Sequence, residues 1–268
     1  MLSKKKDIWI VISLCVLAFY IVFMIYPLGI LFKNAVIENN GNFTFAYFSK
    51  FLSKNYYFST IFNSFKVSLA ATTLTLIIGI PLAYFYNMYK IKGKTFLQIT
   101  IILCSMSAPF IGAYSWILLL GRNGLITNTI KNLTGFNFPS IYGFGGILLV
   151  LCMQLYPLVF LYVSGALRNI DNSLLEASEN MGCTGAKRFF KIIIPLCIPT
   201  ILAAALMVFM RAFADFGTPL FIGEGYRTFP VEIYNQFMNE TGSDKNFASA
   251  VSIIAIIITS LIFLLQRY

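Results

Sequence analysis

The sequence predicts an all-α integral membrane protein built as a six-helix transmembrane bundle, and three observations predict it. Hydrophobic residues make up 58% of the chain and charged residues only 11%, whereas soluble domains carry roughly 25% charged residues. Six apolar stretches are each long enough to cross about 30 Å of hydrocarbon, a distance that takes about 20 residues of helix. These stretches are continuously apolar, which excludes a barrel of alternating strands of about ten residues.

The first stretch, Ile8 to Leu31, follows Lys4, Lys5 and Lys6. It is too long for the apolar part of a signal peptide and no small-residue cleavage pattern follows it, so it reads as an uncleaved first helix. The others are Ile61 to Tyr84, Phe96 to Leu120, Ile141 to Val163, Ile192 to Phe213 and Phe247 to Leu265. Residues 1–60 thus hold the first helix and an outer loop, and 61–268 form the core domain, with a cytoplasmic loop over 168–191. Membrane lipid is the solvent.

Lys and Arg concentrate in cytoplasmic loops. Placing the N-terminus inside puts Lys4, Lys5, Lys6, Lys90, Lys92, Lys94, Arg168, Lys187, Arg188, Lys191 and Arg267 on the cytoplasmic side. Fewer cations, Lys33, Lys50, Lys54, Arg122, Lys131, Arg227 and Lys245, fall outside. A multi-pass protein of the cytoplasmic (inner) membrane with both termini in the cytoplasm is expected. The net charge of +10 does not indicate nucleic acid, because the cations flank membrane segments and no soluble domain remains to gather them on one face.

The chain has no His, which removes the commonest transition-metal ligand and the usual general base. Its five cysteines show no Cys-x-x-Cys spacing, so neither a zinc site nor a disulfide framework is implied. No metal site, catalytic residue or cofactor is expected in this chain. An intramembrane enzyme would need a nucleophile with its base, or a buried acidic pair. A secondary transporter would show inverted-repeat hydropathy or a midplane ion site, and neither is visible.

The most informative segment is the polar break from Leu174 to Pro195. Asp171-Asn-Ser reads as a helix start, and Ser173 followed by Glu176 has capping-box spacing. Gly182 supplies a stop, so a short helix is expected from about Leu174 to Met181. Thr184 can cap the next helix, which enters the membrane through Phe189, Phe190 and Ile192. On the short helix Leu174, Ala177, Ser178 and Met181 follow i, i+3, i+4, i+7 spacing, with Glu176, Glu179 and Asn180 opposite. A two-turn helix is marginal alone and needs a groove. The bland reading is a connector lying on lipid headgroups, but an acidic face is unfavourable on an anionic leaflet.

Glu176-Ala177-Ser178, with Gly182 six residues after the Glu and then Ile192-x-Ile194-Pro195, resembles the Glu-Ala-Ala loop of permease subunits of binding-protein-dependent ABC importers. Ser178 stands where that family usually has Ala, and Ile194 where it usually has Leu. The stretch Asn63 to Tyr84 resembles the opening helix of the same transmembrane domain, and the likeness continues to about Arg267. What the resemblance implies is a type I importer fold whose short cytoplasmic helix rests in a cleft of an ATP-binding cassette subunit. It also implies a second permease domain and an extracytoplasmic solute-binding protein. The coupling set it implies is Leu174, Glu176, Ala177, Ser178, Met181, Gly182, Gly185, Ile192 and Pro195. This chain has no Gly-x-x-x-x-Gly-Lys-Ser/Thr sequence, so ATP hydrolysis is expected on the partner.

Charge inside a bilayer is costly unless it faces a partner or a water-filled cavity. Lys66, Gln154, Arg211 and Asp215 are therefore candidates for the translocation path, with Tyr156 and Pro157 a weaker case. Snorkelling of Lys66 and a structural pairing of Arg211 with Asp215 along one helix face are the plain alternatives. Prolines 27, 81, 109, 157, 195 and 199 read as kinks or helix entries. The segment from Arg211 to Tyr226, and the turn Leu120-Gly-Arg-Asn-Gly124, resemble ferric iron permeases, and more distantly those for 2-aminoethylphosphonate, polyamines and sulfate. Ferric iron is the solute this resemblance puts first. Permeases of that type also occur as two such domains in one polypeptide, so the chain is read either as one half of a fused protein or as a subunit pairing with itself or a sister chain.

Overall fold

The computed structural model describes residues 2–38, 40–106, 108–135, 139–238 and 244–267, and its regular structure is helical apart from one bridge between Ile37 and Phe43. In chain order the helices are α1 (Leu2–Tyr20), α2 (Tyr26–Val36), α3 (Ala46–Ser53), α4 (Asn55–Met88) and α5 (Lys94–Ser105). Then come α6 (Pro109–Leu120), α7 (Leu125–Thr134), α8 (Phe144–Arg168), α9 (Asn172–Asn180) and α10 (Gly185–Arg188). The last are α11 (Ile194–Ala214), α12 (Gly217–Ile222), α13 (Phe229–Met238) and α14 (Lys245–Arg267).

Five segments are long and apolar enough to cross a membrane: Ile8–Val36, Asn55–Met88, Phe144–Arg168, Gly185–Ala214 and Lys245–Leu264. The third expected span is different. Where the sequence predicts one helix over Phe96–Leu120, the chain breaks, and the two apolar segments on either side are bent 106° to each other. Beyond the break, Pro109 opens α6 as its first residue. A proline drives the residue before it out of the helical region, and Ala108 is extended at φ −67°, ψ 140°. Counted as one broken span, the pair brings the total to six.

Prolines also shape the spans that stay continuous. α1 runs into α2, and α10 into α11, through single wide turns at Ile21–Ile25 and Phe189–Ile193. Each wide turn ends two residues before a proline, Pro27 or Pro195. A proline ring collides with the carbonyl four residues back and cannot bond to it. The wide turn shifts the pairing to the i+5 register, with Tyr26 N–H bonded to Ile21 O and Ile194 N–H to Phe189 O. Pro81, Pro157 and Pro199 lie inside helices.

The residues sort into two compact units. One comprises Met1–Ser59 and Glu232–Tyr268. In it α2 packs on α14 through Ala35, Val36, Ala250 and Ile253, and the Asn246 side-chain amide donates to Ile37 O at 3.1 Å. The buried Glu232 carboxylate is held by the Tyr56 hydroxyl at 3.0 Å and the Gln236 amide at 2.7 Å. From Ile8 to Tyr20, α1 is exposed.

The other unit is Thr60–Val231. Its core runs along α8, where Ile147, Leu151, Leu155, Val159, Val163 and Leu167 recur every fourth residue and are buried. α11 meets α8 with Cys197, Val208 and Ala212. In lipid, association rests on close packing rather than on exclusion of water, which favours small residues. Most of the buried face of α4 is made of them, Ser64, Ser68, Ala71, Thr72, Thr75, Gly79 and Ala83 among them, with Val67, Tyr84 and Tyr86 the larger exceptions. The hydroxyls of Ser68, Thr72 and Thr75 donate to carbonyls one turn back at 2.7, 2.7 and 2.9 Å, so these three bury no unmet donor, and the Ser64 hydroxyl accepts the Phe229 N–H at 2.7 Å. A Cβ on Gly79 would lie 2.7 Å from the Val159 side chain; only glycine permits α4 to approach α8 here.

Candidate functional site

Two groups of the expected site residues come together in the second unit. The first is the loop around α9. Asp171 is its N-cap, with the carboxylate accepting the Ser173 N–H at 2.9 Å. The helix therefore begins two residues before the expected Leu174, and no Ser173–Glu176 capping box forms, because Ser173 already sits inside the first turn. Hydrogen bonds from the Ser173 backbone and hydroxyl hold the Asp171 carboxyl below its ordinary range. At the other end Gly182, at φ +72°, donates to Glu179 O at 2.9 Å, and Cys183 N–H reaches Ser178 O at 2.8 Å. These two bonds close the carbonyl end of the helix in a Schellman motif. Gly185 is also left-handed, at φ +58°, and Thr184 holds the N-cap position of α10 without a side-chain cap bond.

The helix is fastened to its own chain on one side. Leu175 packs on the core cluster, Ser178 is buried with its hydroxyl donating to Leu175 O at 2.7 Å, and Arg188 reaches Glu179 at 3.5 Å. Ser178 thus turns inward and leaves the stripe in which sequence spacing places it. Leu174 and Met181, 51% and 84% exposed, and Ala177 stay outside. Glu176 is exposed as well. Beyond the loop, Ile192 is half-buried and Pro195 exposed, and the Phe189 ring packs 4.7 Å from that of Tyr84.

The second group lines a cavity of about 330 Å³. Gln154 of α8, Arg211 of α11 and Asp215 border it, with Phe110 and Phe216 in edge-to-face contact at 5.1 Å. The Arg211–Asp215 pair does not form: among the described residues no ion pair joins them. α11 ends at Ala214, Asp215 is extended, and its carboxylate accepts the Thr218 N–H at 3.3 Å at the start of α12. Gln154 also lines an adjoining cavity of about 270 Å³ with Cys104, Ser115, Trp116 and Tyr156. Lys66 lines neither; it is exposed, its ammonium 4.6 Å above the Phe62 ring.

Some contacts had no signal in the sequence. Arg122 pairs with Glu224 and stacks over Tyr142 at 5.2 Å, joining the Leu120–Gly124 turn to the Arg211–Tyr226 segment. Glu224 does so from φ +40°. The Asn87 amide donates to the Ser164 hydroxyl at 2.8 Å, tying α4 to α8. Among the described residues no three His, Cys, Asp or Glu side chains gather as a metal site would require.

This architecture has close counterparts. A solved bacterial ABC transporter that imports the acidic polysaccharide alginate superposes with TM-score 0.80 at 18% identity, covering 98% of this chain and 95% of that one. The alginate transporter bound to its pentasaccharide-loaded periplasmic protein gives 0.78 at 16% identity, covering 98% and 93%. In sequence, a protein of Haemophilus influenzae provisionally named a ferric transport system permease is 28% identical over 99% of this chain, which spans only 43% of that relative. A protein of Salmonella typhimurium provisionally named a 2-aminoethylphosphonate transport system permease is 24% identical over 99% of this chain and 93% of its own length. Residues 75–268 match the model of one family throughout, and the chain belongs to it: the inner membrane component of binding-protein-dependent transport systems.

Proposed function

We propose that the chain is the permease subunit of an ATP-driven solute importer in the bacterial cytoplasmic membrane, lining the translocation path and coupling to a separate ATP-binding cassette subunit. The observation that carries this reading is α9: capped at both ends, anchored inward by Leu175 and Ser178, and presenting Leu174, Ala177 and Met181 with nothing of its own chain over them. A rigid two-turn helix of that kind suits a lever. ATP binding closes the partner subunits, the docked helices move, and the bundle exchanges inward-open for outward-open packing. Glu176, Ala177 and Gly182 carry the coupling, with Ala177 small enough for close approach.

ATP belongs to the partner subunit, a second permease domain completes the path, and an extracytoplasmic binding protein delivers the solute. Ferric iron is the first solute, supported by the ferric relative aligned over nearly the whole chain. 2-Aminoethylphosphonate is the second, favoured by the match along almost the full length of that permease.

The test is affinity capture of the tagged chain from mild detergent, with Gly182→Asp and Ala177→Trp beside the unmodified protein. A P-loop ATPase is expected to co-purify and to be lost with Ala177→Trp, an exposed substitution that leaves the fold intact. Recovery of the membrane protein with no ATPase in any form would move the reading to a secondary transporter.

A further inference from the structure

The larger cavity sets one cation, one amide and one carboxylate among otherwise apolar lining residues. The Arg211 guanidinium lines it, is permanently charged, and has no ion-pair partner among the described residues. Asp215 is the acid in the lining, and one of its carboxylate oxygens accepts the Thr218 N–H at 3.3 Å. Gln154 adds an amide from α8, and Phe110 and Phe216 add apolar rings to the lining. An exposed, unpaired cation bordering an apolar cavity is free to meet an anionic group there. Low-dielectric walls strengthen its attraction for a negative group, and its planar fork fits an oxyanion through two parallel bonds.

We propose that this cavity is a way station for a solute bearing an oxyanion, with Arg211 its specificity-determining charge and Gln154 the second donor. The inference rests on the importer reading above and names the solute class for it. The two favoured solutes can both meet this requirement: a phosphonate carries the oxyanion itself, and ferric iron carries it when it travels as a carboxylate chelate. A polyamine does not. Arg211 is exposed rather than enclosed, which suits a station that must release what it holds.

The importer, with its partner subunits, is reconstituted in vesicles, and ATP-dependent uptake of radiolabelled 2-aminoethylphosphonate, ferric citrate and spermidine is measured. Wild type, Arg211→Lys and Arg211→Glu are compared. One of the two oxyanion probes accumulates, and which one it is identifies the source. Arg211→Glu lowers that uptake at least about tenfold, as expected on losing a hydrogen bond to a charged group. Arg211→Lys, which keeps the charge but loses the two parallel bonds, falls between wild type and Arg211→Glu, and the ATPase stays associated with both variants. Spermidine uptake by the wild type would overturn the inference, as would undiminished oxyanion uptake by Arg211→Glu. So would a wild-type importer that keeps its ATPase and moves neither oxyanion probe. Absence of the ATPase from the wild type would instead bring down the importer reading, and this inference with it.

Discussion

Gly182 shows what a single backbone angle contributes. At φ +72° it turns the chain out of α9 while its N–H and that of Cys183 meet the carbonyls of Glu179 and Ser178, and a Cβ placed there would meet nothing within 4 Å. Any penalty for replacing it is therefore conformational and not steric. Gly182→Ala is expected to cost about 1–2 kcal/mol for the left-handed residue, whereas Gly182→Asn, which tolerates that region, costs less. Hydrogen exchange read on the peptide containing Cys183 checks this: faster exchange in the alanine variant than in the asparagine variant supports it, and equal rates would show that the left-handed turn is not what holds the loop. Gly182 was legible as a stop because glycine after a helical run has one common meaning. Arg211, Asp215 and Gln154 were legible only as costly groups at membrane depth. That Gln154, 57 residues before Arg211, would share a cavity with it was not, since nothing local encodes which faces of α8 and α11 meet.

At the scale of the element, α9 is a helix whose start depends on a titrating cap. The Asp171 carboxylate accepts from Ser173, and that bonding depresses its folded pKa. A depressed carboxylate contributes stability that is fully present above its unfolded pKa of about 3.9 and is lost as pH falls through the lower folded value. Amides of the first turn of α9 are therefore expected to lose exchange protection, after correction for intrinsic rates, as pH is taken from 6 to below about 4. Asp171→Asn, which caps without titrating, removes the pH dependence; an unchanged pH profile in that variant would assign the effect to another group. The sequence announced this start through Asp171-Asn-Ser, yet spacing alone favoured Ser173 as the cap. A two-turn helix also carries too few residues for spacing to settle which side it buries, and so Ser178 turned inward against expectation. Pro109 was equally visible in the sequence, but a continuous run of apolar residues on both sides of it concealed a 106° bend.

At the scale of the whole molecule, that bend bears on which side of the membrane the loop carrying α9 faces. Between the turn carrying Lys90 and Lys92 and the loop carrying Lys187, Arg188 and Lys191, the chain contains the broken pair and then α8. If the broken pair re-enters and leaves on the side it came from, α8 alone separates the two basic segments and they face opposite sides. If the pair crosses, two crossings separate them and both face the cytoplasm, which the excess of Lys and Arg in cytoplasmic loops requires. The charge pattern therefore predicts crossing, and with it an even number of spans and both termini inside. Membrane-impermeant maleimide labelling of single cysteines tests this in a background from which the other native cysteines are removed. Lys92→Cys and the native Cys183 are expected to label only after the cytoplasmic side is opened, and Asn123→Cys from outside. Labelling of position 123 from the same side as position 92 would make the pair re-entrant, place Cys183 outside, and leave α9 unable to meet an ATPase.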